Sequence, residues 1–176
     1  MTLIRRAELK DADDIAKLVN SCYRGDSSRV GWTTEADLLD GTRTDKADIE
    51  RLITQDGSVI LVCVDNDEII GSVHLENQGS SCYLGMLVVK PTLQGGGVGR
   101  QIIDAAEKFA RETWGLNTMT MTVITVRSEL IAYYERRGYR RTGELRPFMQ
   151  YGGGVNGIPR VEKIEFEVLA KTLEAQ

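Results

Sequence analysis

The spacing of apolar residues changes period several times along the chain. "TLIRRA" near the start predicts a short strand, after which Ile15, Leu18, Val19 and Cys22 recur three and four residues apart. That recurrence puts one apolar stripe on a helix, so a first helix is expected to run to about Tyr23, with Asp11 as its N-cap. In "GWTTEADLLDGTRTDKADIERLITQ", Thr34 and Asp45 are N-cap candidates, and Ile49, Leu52 and Ile53 form one apolar face. This segment is expected to fold as short helices joined by a loop. Three apolar runs follow, "SVILVCVD", "EIIGSVHLEN" and "SCYLGMLVVK", parted by Asp65-Asn66-Asp67 and Gln78-Gly79. Both separators are turn-forming clusters, and the runs predict an antiparallel meander.

From Pro91 the pattern reads loop, then a helix with Ile102, Ile103, Ala106, Phe109 and Ala110 on one face, then the strand "TMTMTVITV". The helix "SELIAYYERRG", the strand "YRRTGEL", a glycine-rich loop and a final strand "VEKIEFEVLA" complete the chain. No repeat, low-complexity tract or linker divides it, so residues 1–176 are expected to form one domain. The class is α/β or α+β, a mixed sheet with helices.

Composition narrows the function more than the fold. A chain of 176 residues can bury roughly 70% of the surface its unfolded form exposes, enough for a substantial core. Charged residues make up 27%, hydrophobic residues 41%, and the formal net charge is −4. Such an acidic chain lacks the basic field that nucleic-acid binding needs. Its longest run of aliphatic and Cys residues, "VILVCV", falls far short of the roughly 20 residues that cross a bilayer, so no membrane role is expected. The start, "MTLIRRAELKDADD", turns acidic where a signal peptide needs an apolar core. Cys22, Cys63 and Cys82 are odd in number and widely spaced, which fits reduced thiols without a CxxC metal or redox site. These features place the protein in the cytoplasm, with no metal expected.

The candidate chemistry begins at "VVKPTLQGGGVGRQIIDAAEKFA". Gly95, Gly96, Gly97 and Gly99 crowd into five positions directly before an amphipathic helix. Without Cβ atoms, successive backbone N–H groups can converge on an anion, helped by the helix dipole, and phosphate is the natural guest. A Walker A loop would need Gly-Lys-Ser/Thr, but Gly99 is followed by Arg100 and Gln101. A dinucleotide loop would need GxGxxG; counted from Gly95 the third slot holds Arg100, and counted from Gly97 it holds Ile102.

What the stretch does match is Gln-x-x-Gly-x-Gly, as Gln94, Gly97 and Gly99, preceded by an apolar strand and Pro91. This resembles the acyl-CoA loop of the GNAT superfamily of N-acetyltransferases, whose pattern is Gln/Arg-x-x-Gly-x-Gly/Ala. Further on, "SELIAYYERRGYRRTGEL" is similar to the superfamily's second signature, a helix with an aromatic-Tyr-Glu-Lys/Arg-x-Gly-Phe/Tyr ending that leads into a strand. The order of elements over nearly the whole chain is also that family's.

The resemblance implies a mostly antiparallel central sheet flanked by helices, in which two neighbouring parallel strands splay apart to form the acyl-CoA cleft. Those strands would be Cys82 to Lys90 and Thr118 to Val126. It implies acetyl-CoA as cofactor, with main-chain groups of Leu87, Val88 and Val89 pairing with the pantetheine amides and the Val88 region offering an N–H to the thioester carbonyl. Gln94, Gly95, Gly96, Gly97, Val98, Gly99 and Arg100 would cradle the pyrophosphate. Direct attack by an amine would give a tetrahedral intermediate, whose collapse expels a thiolate that benefits from a proton. Tyr134, four residues before Gly138, stands where many members carry the phenol proposed to supply it. Ser128 stands where members often carry a cofactor-contacting Asn, and it would also cap its helix.

An alkylammonium with a pKa near ~10 must first lose a proton. Many relatives place a Glu on the fourth strand, where Tyr83 stands here. Glu76, near the end of the preceding strand, is the nearest carboxylate alternative, with His74 on the same face by alternation. Each candidate has a plainer competitor. Tyr134 falls four residues after Leu130, a spacing that suits a core position. His74, the only histidine, has the ordinary fate of a packed, hydrogen-bonded residue on a strand. Cys63 and Cys82 sit in apolar strands, where buried inert thiols are the default.

In this architecture the early helical segments and the last hairpin, including "YGGGVNGIPR", wall the acceptor side, and Tyr23, Trp32, Glu35 and Tyr83 are lining candidates. Glu35 or Glu144 would favour a cationic amine. The expected function is acetyl-CoA-dependent transfer of an acetyl group to the primary amine of a small molecule, in a ternary complex. A peptide or protein amine is the alternative acceptor, and a non-catalytic acyl-CoA-binding regulatory domain is the alternative class. A homodimer is compatible with either.

Overall fold

Asn66 and Asp67 both take positive φ, 50° and 64°, and join the strands β3 (Ser58–Asp65) and β4 (Glu68–Asn77). Two central residues of that kind make the hairpin turn whose twist suits antiparallel strands, and short polar side chains tolerate the conformation. The computed structural model describes residues 2–23, 39–40, 44–147, 158–159 and 165–173. Within it β1 (Thr2–Arg6) leads to α1 (Ala12–Tyr23), then to β2 (Leu39–Asp40) and α2 (Lys46–Thr54). After the hairpin come β5 (Cys82–Val89), α3 (Val98–Glu112), β6 (Thr118–Ile124), α4 (Ser128–Arg136), β7 (Arg140–Pro147), β8 (Ile158–Pro159) and β9 (Glu165–Thr172).

Seven strands form one sheet in the order β1-β3-β4-β5-β6-β9-β7, and every neighbouring pair is antiparallel except β5 and β6. β2 and β8 form a separate antiparallel pair, Leu39 opposite Pro159 and Asp40 opposite Ile158. The mixed, mostly antiparallel sheet with one splayed parallel pair is the expected one. Among the described residues no helix is long and apolar enough to cross a membrane.

Period-2 alternation divides the core in two. Ile60, Val62 and Val88 point to one face of the sheet, where α1 and α2 cover them with Ile15, Val19, Cys22 and Ile49. Leu61, Val73, Leu75, Met119, Met121 and Leu169 point to the other, under Ile102, Ile103 and Ala106 of α3 and Ile131 of α4. Gly71 lets α3 come close: a Cβ there would lie 2.6 Å from Ile102 Cδ1 and 3.0 Å from the Val88 carbonyl. Asp45 caps α2 as expected, accepting the Asp48 N–H at 2.8 Å. Asp11 does not cap α1. It ends a short 3-10 turn, and its buried carboxylate accepts from the Glu8 N–H and from the guanidinium of Arg5, which holds it below the usual carboxylate range. Thr34 lies outside the described residues.

One charged cluster joins the far ends of α3, α4 and β9. Glu107, 9% exposed, accepts the Tyr139 hydroxyl at 2.9 Å and the Lys171 ammonium at 2.9 and 3.1 Å. Burial, with the neighbouring carboxylate, pushes the Tyr139 phenol far up, so it stays a donor. Removing the carboxylate strands both donors, whereas a paired charge satisfies them. Glu107→Ala is therefore expected to cost about 3 kcal/mol, the low end for a broken buried pair because Lys171 keeps some water contact. Urea denaturation of both proteins measures it; a midpoint unchanged by the substitution would refute the role.

Candidate active site

β5 and β6 run side by side for only two residue pairs, Cys82↔Met119 and Tyr83↔Thr120. Beyond them β6 stays paired with β9 to Ile124, and β5 stays with β4 to Val89. The two parallel strands therefore part, and an internal gap opens in the sheet. A bulge in β5 marks the departure. Between the pairs His74↔Gly85 and Ser72↔Val88, both Met86 and Leu87 face the single residue Val73, and Met86 has φ 49°. Positive φ in a non-glycine residue within a strand is strained backbone, of the kind that bulges concentrate beside functional sites. Sequence reasoning missed Met86; the available signal was Gly85 in mid-strand, a common mark of a bulge.

The bulge resets which main-chain groups face the gap. Lys90 donates its N–H to the Ile70 carbonyl at 2.8 Å, so Lys90 faces β4. Alternation then turns Val88, opposite Ser72, toward β4 as well, and turns Leu87 and Val89 toward the gap. The expectation that Val88 presents its N–H in the cleft is thus corrected: that amide belongs to the β4–β5 ladder. The Val89 carbonyl accepts from the Gln94 side-chain amide at 3.1 Å and from the Cys22 thiol at 3.2 Å, which occupies both of its lone pairs. Gln94 thus fastens the start of the glycine loop to the end of β5, and Cys22 fastens α1 to the same atom.

The loop then turns through Gly95 (φ 92°) and reaches Gly97 (φ 87°, ψ 0°), the N-cap of α3. Among the described residues no atom crowds Gly97, so its glycine answers to the left-handed backbone. The first intrahelical bond of α3 is Gln101 N–H to the Gly97 carbonyl, leaving the N–H groups of Val98, Gly99 and Arg100 without partners inside the helix. At Gly99 space decides, since a Cβ would sit 2.9 Å from the Tyr133 hydroxyl. Leu87, Val89, Gln94, Gly95, Gly97, Gly99 and Arg100 form one wall of a cleft of about 410 Å³; Leu130, Tyr133, Tyr134, Arg136 and Arg137 of the α4 region form the other. Three N–H groups at a helix N-terminus, glycine backbone and arginines make this a site for a phosphate-bearing ligand.

Tyr134 is 5% exposed, meets Tyr133 and Tyr139 edge-on, and lines that cleft. Tyr134 is thus a core residue that also forms part of the cleft wall. Gly96 and Val98 do not line the cleft; Val98 packs against the core. Ser128 is exposed, lies outside the cleft and does not cap α4, whose N-cap is Arg127 without a side-chain bond.

On the opposite face of the sheet Glu76 stands directly across from Tyr83, and His74 across from Gly85. The Tyr83 ring lies over Gly85, and its hydroxyl shares a 3.0 Å hydrogen bond with the Thr122 hydroxyl, bridging the two strands where they begin to part. His74 is oriented elsewhere. Its Nε2 lies 2.8 Å from Ser58 Oγ, and Ser58 spends its one proton on the Leu52 carbonyl at 2.6 Å. His74 Nε2 must therefore be the donor, which ties β4 to the end of α2 and leaves that nitrogen unable to take a proton. Glu144 is exposed and pairs with Arg146 at 2.8 Å. Tyr23 ends α1, and Trp32 and Glu35 lie outside the described residues.

All three thiols are buried. Burial pushes Cys22 up to about 11 and Cys82 up to about 12, and it raises Cys63 too. Thiolate is the reactive form, so none is poised as a nucleophile. Iodoacetamide at about pH 7.5 should leave the folded protein unlabelled and modify three sites after denaturation, read by intact mass. Rapid labelling of the folded chain would contradict this.

A family model described as Acetyltransferase (GNAT) family matches residues 13–139. The chain belongs to the acetyltransferase (GNAT) family and is thus an acyltransferase. A protein of Azospirillum brasilense named IAA acetyltransferase is 24% identical over 153 residues, covering 84% of this chain and 90% of its own. A solved structure from Salmonella typhimurium, an acetyltransferase by its description and with its cofactor acetyl-CoA, superposes with a TM-score of 0.71 at 17% identity, covering 99% of this chain and 95% of that one. A ribosomal-protein-alanine N-acetyltransferase from Escherichia coli gives 0.70 at 15% identity, covering 100% and 96%. At such identities these two structures speak for the fold alone.

Proposed function

We propose that this chain is a cytoplasmic, acetyl-CoA-dependent N-acetyltransferase that modifies the primary amine of a small molecule by direct attack in a ternary complex. The observation that carries the reading is the cleft itself, which joins a phosphate-suited loop, gap-facing strand backbone and a phenol within one volume. The residues present fit acetyl-CoA. Val98, Gly99 and Arg100 N–H groups and the Cβ-free turn at Gly97 suit the pyrophosphate, and the gap-facing N–H of Val89, whose carbonyl is already taken, suits an amide of an extended arm. When bound, acetyl-CoA supplies an acyl thioester, an electrophile for a neutral amine.

The chain's own groups divide the remaining work. The N–H groups turned to the gap hold an oxygen on which negative charge grows, which is worth most in a site shielded from water. Tyr134 holds a proton on its phenolic oxygen at the cleft wall, as the general acid. Glu76, beside Tyr83 on the face toward α1 and α2, is the carboxylate that accepts the proton of the amine, directly or through water. Tyr83 shapes the acceptor side of the gap, where its hydroxyl meets Thr122. The name of the Azospirillum relative, an IAA acetyltransferase rather than a protein acetyltransferase, supports a small acceptor.

Two substitutions test this. Gly97→Val places a β-branched residue at φ 87° and closes the loop's approach, so CoA affinity measured by calorimetry should fall severely while the protein stays folded. Equal affinities in both proteins would remove the basis of the reading.

Tyr134→Phe keeps the ring and its edge contacts but deletes the donor. The single-turnover rate with the best amine of a panel that includes peptide N-termini should drop by roughly 10²–10⁴, the usual worth of general acid catalysis, with CoA affinity kept. An unchanged rate would leave Tyr134 as a core residue only, and turnover of no amine would favour a binding domain.

A further inference from the structure

The loop wall of the cleft accounts for one anion, but the α4 wall is built for another. Arg136 ends α4 and Arg137 is its C-cap, where the helix dipole favours cations. With Arg100 they are three arginines on one cleft, and among the described residues none of the three forms an ion pair. Arg137 Nε is the one buried side-chain nitrogen or oxygen among the described residues with no hydrogen-bond partner. An orphaned donor of that kind is a cost in the free protein, and it marks a guanidinium held in place without an acceptor among the described residues.

Tyr133 decides which acceptor Arg137 can meet. Its hydroxyl reaches the loop, 2.9 Å from the point where a Gly99 Cβ would sit, and its ring face carries the Arg137 guanidinium at 4.7 Å from the centroid. The ring therefore meets the N-terminus of α3 with its hydroxyl edge while one face holds the arginine, and the stack fixes the planar guanidinium in one orientation. A pyrophosphate seated on the α3 N–H groups would lie at the hydroxyl edge of that ring, apart from the face that carries the guanidinium. The acyl-CoA nucleotide carries a second, separate anion, the phosphomonoester on its ribose 3′ oxygen.

We propose that Arg137, stacked on Tyr133 and seconded by Arg136, binds this 3′-phosphomonoester, so that the enzyme discriminates CoA from its dephospho form. The inference rests on the acyl-CoA reading of the cleft and adds a specificity residue to it. Guanidinium suits a phosphate dianion because two N–H groups engage two oxygens at once, and Lys cannot reproduce that fork.

Calorimetry with CoA and with 3′-dephospho-CoA, on the parent protein, Arg137→Gln, Arg137→Lys and Arg136→Gln, tests it. The parent should bind CoA about ten- to a hundredfold more tightly than dephospho-CoA, the worth of one charge-assisted contact. Arg137→Gln should bring the two affinities to within about threefold by weakening CoA alone, with Arg137→Lys and Arg136→Gln intermediate. The parent's preference should also fall below about pH 6, as the monoester takes up a proton. A parent that binds both ligands equally overturns the proposal. Equal weakening of both ligands by Arg137→Gln also overturns it, because Arg137 then serves the pyrophosphate or the fold. If the parent binds neither ligand, the acyl-CoA reading itself fails; if it binds both without preference, only the 3′-phosphate assignment does.

Discussion

Two strands that begin as neighbours cannot both stay paired with each other and follow their other partners. β5 is held to β4 along its length, across a bulge, and β6 is held to β9. With only two residue pairs shared between them, the conflict is settled by parting. A sheet normally hides its edges or covers them, because unpaired backbone groups invite another strand. Here two edges face one another inside the sheet. The glycine loop follows directly from the end of β5, α3 starts from that loop, and α4 follows from the end of β6. The cleft arises because all of these elements leave the sheet from the ends of the two strands that have parted.

What holds the cleft's walls in place lies largely outside it. The Val89 carbonyl is a junction: Gln94 fixes the loop to it, and Cys22 fixes α1 to it from the opposite face. At the far end, Glu107 binds Tyr139 and Lys171, so the helix that begins at the loop is tied to the strand entered from α4 and to β9. Rigid anchors of this kind are what a preorganised set of donors requires, since groups that reorganise on binding lose part of their worth. The two faces then take different chemistry. The α3–α4 face presents N–H groups, arginines and a phenol, while the α1–α2 face presents Glu76, Tyr83 and Thr122 at the start of the gap.

Much of this was legible in the sequence because it depends on local rules. Helical spacing at Ile102, Ile103 and Ala106, the turn residues Asn66 and Asp67, and the cap at Asp45 act over a few residues, so a linear reading captures them. Glycines before a helix carry their own physics, since a left-handed N-cap at Gly97 and a helix N-terminus are determined within one loop. The motif around Tyr134 carried the family resemblance for the same reason.

The rest was decided by partners distant in the chain. Met86 takes its strained backbone because β4 and β5 differ by one residue in register, and that shift turns Val88 away from the gap and Leu87 and Val89 toward it. Which ring nitrogen of His74 carries the proton is fixed by Ser58, 16 residues away, and by the Leu52 carbonyl. Arg137 caps the end of α4, and only its seat on the Tyr133 ring leaves its Nε buried without an acceptor among the described residues. Composition and spacing determine which elements form and which atoms a loop can offer. Which of those atoms meet, and which are already taken, depends on hydrogen-bond pairing between strands and helices that only the folded chain brings together.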